Sequence, residues 1–117
     1  MLFRSHCFNY NKMREINNGK QMKTVWSFTA PNGDEKEFGK HPAQKPVALL
    51  ERIILASTNE GDLIFDPFSG SSSTGIAAVN VHRKFAGTEL ESEFINLSIA
   101  RLKRAIEIRQ SSLIFAR

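Results

Sequence analysis

The sequence predicts an α/β domain with an incomplete parallel sheet flanked by helices. Three observations predict it. Leu63-Ile64-Phe65 is a short, wholly apolar run, the pattern of a parallel strand buried on both faces. Lys84-Phe85-Ala86-Gly87-Thr88 reads as a second strand. Helical segments lie before, between and after the two, giving helix–strand–helix–strand–helix. At 117 residues the chain has room for one domain.

Taken in order, residues 1–23 show no clean period, and Asn9, Asn11, Asn17, Asn18 and Gly19 punctuate them. Lys12 to Ile16 can form a turn or two of helix, with Gly19 as its C′ residue. Thr24-Val25-Trp26-Ser27-Phe28-Thr29 alternates and is rich in β-formers, so a short strand is expected there. Trp26 is read as a packing residue. Pro31-Asn32-Gly33-Asp34 is a turn signal. Pro46 suits the first position of a helix, where its missing N–H has no intrahelical partner. Val47, Leu50, Ile53, Ile54 and Leu55 give that helix an apolar face, ending near Ser57 to Gly61. A short helix is expected from Ser73 to Val81. A long one is expected from Leu90 onward, with Leu90, Phe94, Leu97, Leu102, Ala105 and Ile106 on one side of a 3.6-residue period. Leu113-Ile114-Phe115 could be a third strand or a packed end.

Composition excludes several classes. The apolar (41%) and charged (24%) fractions are those of a soluble globular chain. A single cysteine, Cys7, cannot close an internal disulfide, which fits a reducing compartment. No apolar run approaches the ~18 residues that span a bilayer, and the start lacks a signal-peptide core; a cytoplasmic location with no membrane contact is expected. The net charge of +4 is uneven. Residues 1–45 carry eight basic and four acidic side chains, whereas residues 46–117 balance. Such asymmetry suits contact with a polyanion, although a solvated basic surface gives the same count.

The chemistry concentrates after Phe65. A strand running into Asp66-Pro67-Phe68-Ser69-Gly70-Ser71-Ser72-Ser73-Thr74 and then a helix builds a nucleoside site. Small residues let the backbone approach a ligand, and free N–H groups at the helix start face it. Glu89 follows the second strand, 23 positions after Asp66. An acid about 20 residues on is the group that accepts from ribose hydroxyls. The loop is neither Gly-x-Gly-x-x-Gly nor a phosphate-binding P-loop, and Asp66 would repel pyrophosphate while tolerating a sulfonium or ammonium cation. S-adenosylmethionine (SAM) carries both.

Asp66-Pro67-Phe68-x-Gly70-Ser71 resembles the cofactor motif Asp-Pro-Phe-x-Gly-Ser-Gly-Thr-Thr of the amino-methyltransferases of DNA. His41-Pro42-Ala43-Gln44-Lys45-Pro46 resembles their His-Pro-Thr-Gln-Lys-Pro motif. Its place about 25 residues before the loop resembles the permuted β-class, in which the catalytic motif and target-recognition region precede the cofactor motifs. The segments around Phe8-Asn9-Tyr10, Gly19 to Trp26 and Glu35 to Lys40 resemble the end of the recognition region in adenine-N6 members. The resemblance implies a partial Rossmann-like, SAM-dependent methyltransferase fold. Residues 1–40 would then be the end of the recognition region and a linker, and 41–117 the SAM-binding part. It implies that His41, Pro42, Ala43, Gln44 and Lys45 line the methionine end of SAM, with Lys45 a candidate for its carboxylate. Asp66, Pro67, Phe68, Gly70, Ser71, Ser72, Ser73 and Thr74 would form the loop beneath, and Glu89 would hold the ribose.

The chain departs from the family pattern at three points. Ser72 stands where glycine is usual, and glycine alone is free at positive φ. Ser73 replaces a threonine. The catalytic tetrapeptide Asp/Asn/Ser-Pro-Pro-aromatic is absent, because no two of Pro31, Pro42, Pro46 and Pro67 are adjacent. No catalytic or metal-binding residue is therefore assigned. The expected function is transfer of a methyl group from SAM to adenine N6 in duplex DNA, with this chain a C-terminal fragment that does not turn over alone. An upstream catalytic chain or a homodimer would complete the sheet. A cytosine-N4 fragment, a non-catalytic SAM- or DNA-binding module, and an unrelated nucleotide-binding α/β protein stand as alternatives.

Overall fold

A computed structural model describes residues 7–31, 33–39 and 41–115, with side chains to Ser112. The elements in order are α1 (Tyr10–Ile16), a 3₁₀ turn (Asp34–Lys36), α2 (Val47–Ser57), β1 (Leu63–Asp66), α3 (Ser73–Asn80), β2 (Lys84–Gly87) and α4 (Ser92–Phe115). β1 and β2 pair in parallel, with Ile64 opposite Phe85 and Asp66 opposite Gly87. The expected helix–strand–helix–strand–helix order is present.

The core lies between α2, α3 and one face of this sheet. Val47, Ile54, Ala77 and Ala78 are buried together, with Leu50, Ile64, Ile76, Val81 and Phe85 packed around them. α3 can sit this close because its inward residues are small. A Cβ on Gly75 would lie 2.7 Å from the Phe85 ring and 2.8 Å from Leu102. Helix, strand and α4 therefore meet where only hydrogen fits.

Polar side chains tie down the C-terminal end of α2. Asn9 donates through Nδ2 to the carbonyls of Leu55 and Thr58, both at 2.7 Å. Arg83, 7% exposed, donates from Nη2 to the Thr58 carbonyl at 2.7 Å and from Nε to Thr58 Oγ1 at 3.0 Å. These satisfy carbonyls that a helix C-terminus leaves without intrahelical partners.

Several expectations need correction. Thr24–Thr29 is not a strand: among the described residues no neighbouring strand pairs with it. Its alternation instead reflects packing, with the Arg52 guanidinium 5.2 Å from the Trp26 ring centre and 4.8 Å from that of Phe28. The first helix starts at Tyr10 rather than Lys12. It closes with Asn18 at φ +55° and the Gly19 N–H on the Arg14 carbonyl at 2.7 Å, so Asn18 takes the C′ place and Gly19 follows it. Pro46 is the N-cap of α2, one position before its first helical residue.

α4 begins at Ser92, and Leu90 is 91% exposed in the preceding turn. The backbone at Leu113–Phe115 continues α4 and is not a strand; its side chains lie outside the described residues, as do the expected features at residues 1–6, Asn32 and Lys40. β1 is covered on one face only. Leu63 and Phe65 are 64% and 61% exposed on the other, where a wholly apolar parallel strand calls for a second covering layer.

Candidate functional site

The site lies at the carboxyl ends of β1 and β2. Asp66 closes β1, and both of its carboxylate oxygens are engaged: Oδ1 accepts from the Phe68 N–H at 3.0 Å, and Oδ2 from Thr74 Oγ1 at 2.8 Å. The loop thus folds back onto the residue that begins it. Thr88 fastens the other side. Its N–H donates to the Asp66 carbonyl, its hydroxyl to the Pro67 carbonyl, and its carbonyl accepts from Ser69.

Glu89 faces the loop. Its Oε2 accepts from the Gly70 N–H at 2.8 Å, and its Oε1 from Leu90 and Glu91 at 2.8 and 3.1 Å. The Glu91 N–H foremost, then those of Leu90 and Gly70, and the nearby His41, hold the Glu89 carboxyl below its usual value against a desolvation effect. A carboxylate offers about four acceptor positions. Three are filled by backbone, so one is left for a ligand hydroxyl, not the pair that a cis-diol uses.

The first motif closes over the loop. His41 Nδ1 accepts from the Ala43 N–H at 3.0 Å, and its carbonyl accepts from Gln44. The ring lies 4.2 Å from Phe94 of α4. Gly70 sits beneath it at φ +52°, and a Cβ there would be 3.0 Å from His41 Nε2. Glycine is required twice over, for the left-handed backbone and for the approach of the ring.

A cavity of about 220 Å³ is lined by His41, Ala43, Gln44, Lys45, Leu50, Asp66, Phe68, Ser69, Gly70, Ser71, Ser73 and Thr74. The two sequence motifs therefore share one hollow. Pro42, Pro67, Ser72 and Glu89 are not among its walls; Glu89 reaches it through Gly70. Ser72 adopts φ +59°, ψ +36° with 2% exposure. The position does take the left-handed backbone, but its Cβ is buried away from the hollow, so strain and not crowding is the cost of serine there.

Two polar groups in this region lack partners among the described residues. Gln44 donates through Nε2 to the Glu35 carbonyl at 2.6 Å. A carbonyl only accepts, which fixes the amide orientation, and leaves buried Oε1 with no partner. Lys45 forms no ion pair.

Sequence reasoning missed the supports on α4. Ser98 Oγ donates to the Gly70 carbonyl at 2.7 Å. Arg101 Nη1 donates to the Ser71 carbonyl at 2.7 Å, to Ser71 Oγ at 2.8 Å and to Ser73 Oγ at 3.1 Å. Both side chains are buried, and burial draws the Arg101 guanidinium below its usual value, opposed by the charge of Glu35. A signal was present: Phe94, Ser98, Arg101 and Ala105 form an i, i+4, i+7, i+11 stripe, in which two polar residues occupy core-facing positions.

This arrangement defines part of a Rossmann-like layer, with two parallel strands, a small-residue loop and an acid across from it. Comparison with known proteins gives the family. Residues 6–100 match the N6/N4 methyltransferase family, described as DNA methylase, and the chain belongs to it. It is 52% identical over 98 residues to the Type II methyltransferase M2.DpnII of Streptococcus pneumoniae, covering 84% of this chain and 37% of that protein. It is 44% identical over 95 residues to the DNA adenine methyltransferase YhdJ of Escherichia coli (strain K12), covering 81% of this chain and 32% of that protein. The crystal structure of the M1.HpyAVI–SAM complex superposes with a TM-score of 0.65 at 36% identity, over 84% of this chain and 44% of that one. The fold is thus a partial Rossmann-like methyltransferase fold, and the chain spans about a third of the length of these sequence relatives.

Proposed function

We propose that this chain is the cofactor-holding portion of a site-specific, cytoplasmic DNA methyltransferase that moves a methyl group from SAM to adenine N6 in duplex DNA. The observation that carries the reading is that residues of both motifs, His41 to Lys45 and Asp66 to Thr74, line one hollow, with Glu89 tied to its edge through the Gly70 N–H. Similarity to a relative named as a DNA adenine methyltransferase favours adenine.

SAM supplies the electrophilic methyl group when bound. The chain's residues hold and orient it. Lys45, in no ion pair among the described residues, takes the methionine carboxylate. The orphaned Gln44 Oε1 suits the ammonium, since a buried acceptor without a donor costs free energy. Phe68, Gly70, Ser71, Ser73 and Thr74 form the floor, with Ala43 opposite and Asp66 fixing the loop through Thr74. Pro42, Pro67 and Ser72 shape the two turns from outside the cavity. Glu89 accepts one ribose hydroxyl. The cavity of about 220 Å³ falls below the ~300 Å³ at which ligand pockets usually begin, so it seats the amino-acid half of SAM while the nucleoside lies in the open groove toward Glu89.

The chemistry on DNA needs a base outside the stack and acceptors for the two amine hydrogens, so that the nitrogen lone pair is available for in-line attack. This chain contains no Pro-Pro motif to provide them. Residues before His41 serve as the end of the recognition region, and the open face of β1 at Leu63 and Phe65 receives the catalytic portion, from an upstream chain or a second copy. The test is transfer of tritiated methyl from SAM to duplex DNA. The chain alone incorporates no label, and incorporation appears when the catalytic portion of a close relative is added. Label transferred by the chain alone, or none in the mixture, overturns the reading.

A further inference from the structure

We infer that Ser98, seconded by Arg101, is a positioning residue that presents the Ser71 N–H to the cofactor; this rests on the SAM reading above. α4 holds two successive carbonyls of the loop. Ser98 takes that of Gly70 and Arg101 that of Ser71, each at 2.7 Å. In a trans peptide the N–H points opposite to the carbonyl of the same unit. The unit whose carbonyl is held by Ser98 carries the Ser71 N–H, which therefore points away from α4. The next unit carries the Ser72 N–H, and that donor is consumed by the Ser69 carbonyl at 2.7 Å. The Ser71 N–H alone of the two has no acceptor among the described residues, although Ser71 is only 3% exposed. A nearly buried donor without an acceptor is costly, and Ser71 lines the hollow between the two motifs.

Arg101 does more than fill space. Its Nη1 spans Ser71 O, Ser71 Oγ and Ser73 Oγ, so one charged group fixes both the loop and the first residue of α3. The charge of Glu35 supports the buried guanidinium, and the carbonyl of Glu35 orients Gln44. The same pair thus sets the geometry on both sides of the hollow. Arg101 never touches the ligand; it acts through the peptide units it holds. The acceptor for the Ser71 N–H is a carboxylate or hydroxyl oxygen of the bound cofactor.

The experiment is an amide ¹H–¹⁵N titration of the full chain with SAM, run on the wild type, Arg101→Lys and Ser98→Ala, with unfolding followed in parallel. In the wild type the Ser71 resonance moves downfield at saturation. Ser98→Ala removes one neutral hydrogen bond and keeps the fold; it diminishes the Ser71 shift and weakens SAM severalfold. Arg101→Lys keeps the charge but not the three-way contact, and weakens SAM about tenfold, the usual scale for a hydrogen bond to a charged group. A folded Arg101→Lys or Ser98→Ala protein with wild-type affinity and wild-type Ser71 shift overturns the inference and leaves the SAM reading standing. A wild-type chain that binds SAM with an unmoved Ser71 amide does the same. A wild type that binds no SAM overturns both.

Discussion

The Glu89 carboxylate and the Gly70 N–H meet at 2.8 Å, joining the end of the second strand to the loop after the first. The bond spans 19 residues of chain. Because the Leu90 and Glu91 N–H groups hold the other oxygen, the carboxylate is fixed in place before any ligand arrives. That is preorganisation: the cost of ordering Glu89 is met in folding rather than in binding.

This bond makes an acid prediction. The Glu89 carboxyl is lowered in the folded chain, first by the Glu91 N–H. A lowered folded value means the stabilisation is complete above the unfolded value of about 4.3 and is lost as pH falls through the lower folded value. Glu89→Gln is expected to flatten the acid limb of a plot of melting temperature against pH below about 4.3, leaving its neutral plateau lower. Parallel acid limbs in the two proteins would contradict the linkage.

Gly70→Ala tests the contact between the motifs. The substitution puts a Cβ on a φ of +52° and within 3.0 Å of His41 Nε2. The left-handed backbone alone costs about 1–2 kcal/mol, and the His41 ring must also move. Urea unfolding should show a lower midpoint at unchanged slope, with SAM affinity lost more steeply than stability.

Ser72→Gly is expected to stabilise. Serine there holds φ +59°, a strain of about 1–2 kcal/mol, partly offset by the ~0.4–1 kcal/mol that glycine adds through unfolded-chain entropy. The net gain is on the order of 0.5 kcal/mol, read as a rise of a few degrees in melting temperature. A fall would mean that the buried Ser72 side chain contributes more packing than its backbone costs.

Gly75→Ala probes the junction of α3, β2 and α4. Its Cβ would approach Phe85 to 2.7 Å and Leu102 to 2.8 Å, overpacking that should cost about 1–3 kcal/mol. Thermal unfolding should show the loss, and Gly33→Ala, where a Cβ meets nothing within 4 Å, serves as the control.

The central elements and the two motifs were legible because period and composition are local properties. β1, α3 and β2 fall within one residue of where the apolar run, the small-residue loop and the second strand pattern place them. Thr24–Thr29 misled for a physical reason: β-propensity records fit to a half-buried surface, and Arg52 provides such a surface without a strand. Leu90 misled because its spacing continued the helical period past the turn that Glu89 caps. Ser98 and Arg101 were illegible as site residues because their partners are backbone carbonyls 28 and 30 positions away, a relation that no local pattern carries. The exposed face at Leu63 and Phe65 is the counterpart: the residues predict burial that the described layers do not provide.

The most direct measurement is a structure of this chain soaked with SAM. The account predicts a ribose hydroxyl oxygen within hydrogen-bond distance of Glu89, and the methionine carboxylate beside Lys45 in the hollow under His41. An adenosyl group bound elsewhere, or Glu89 swung away from Gly70 with no ligand contact, would contradict it.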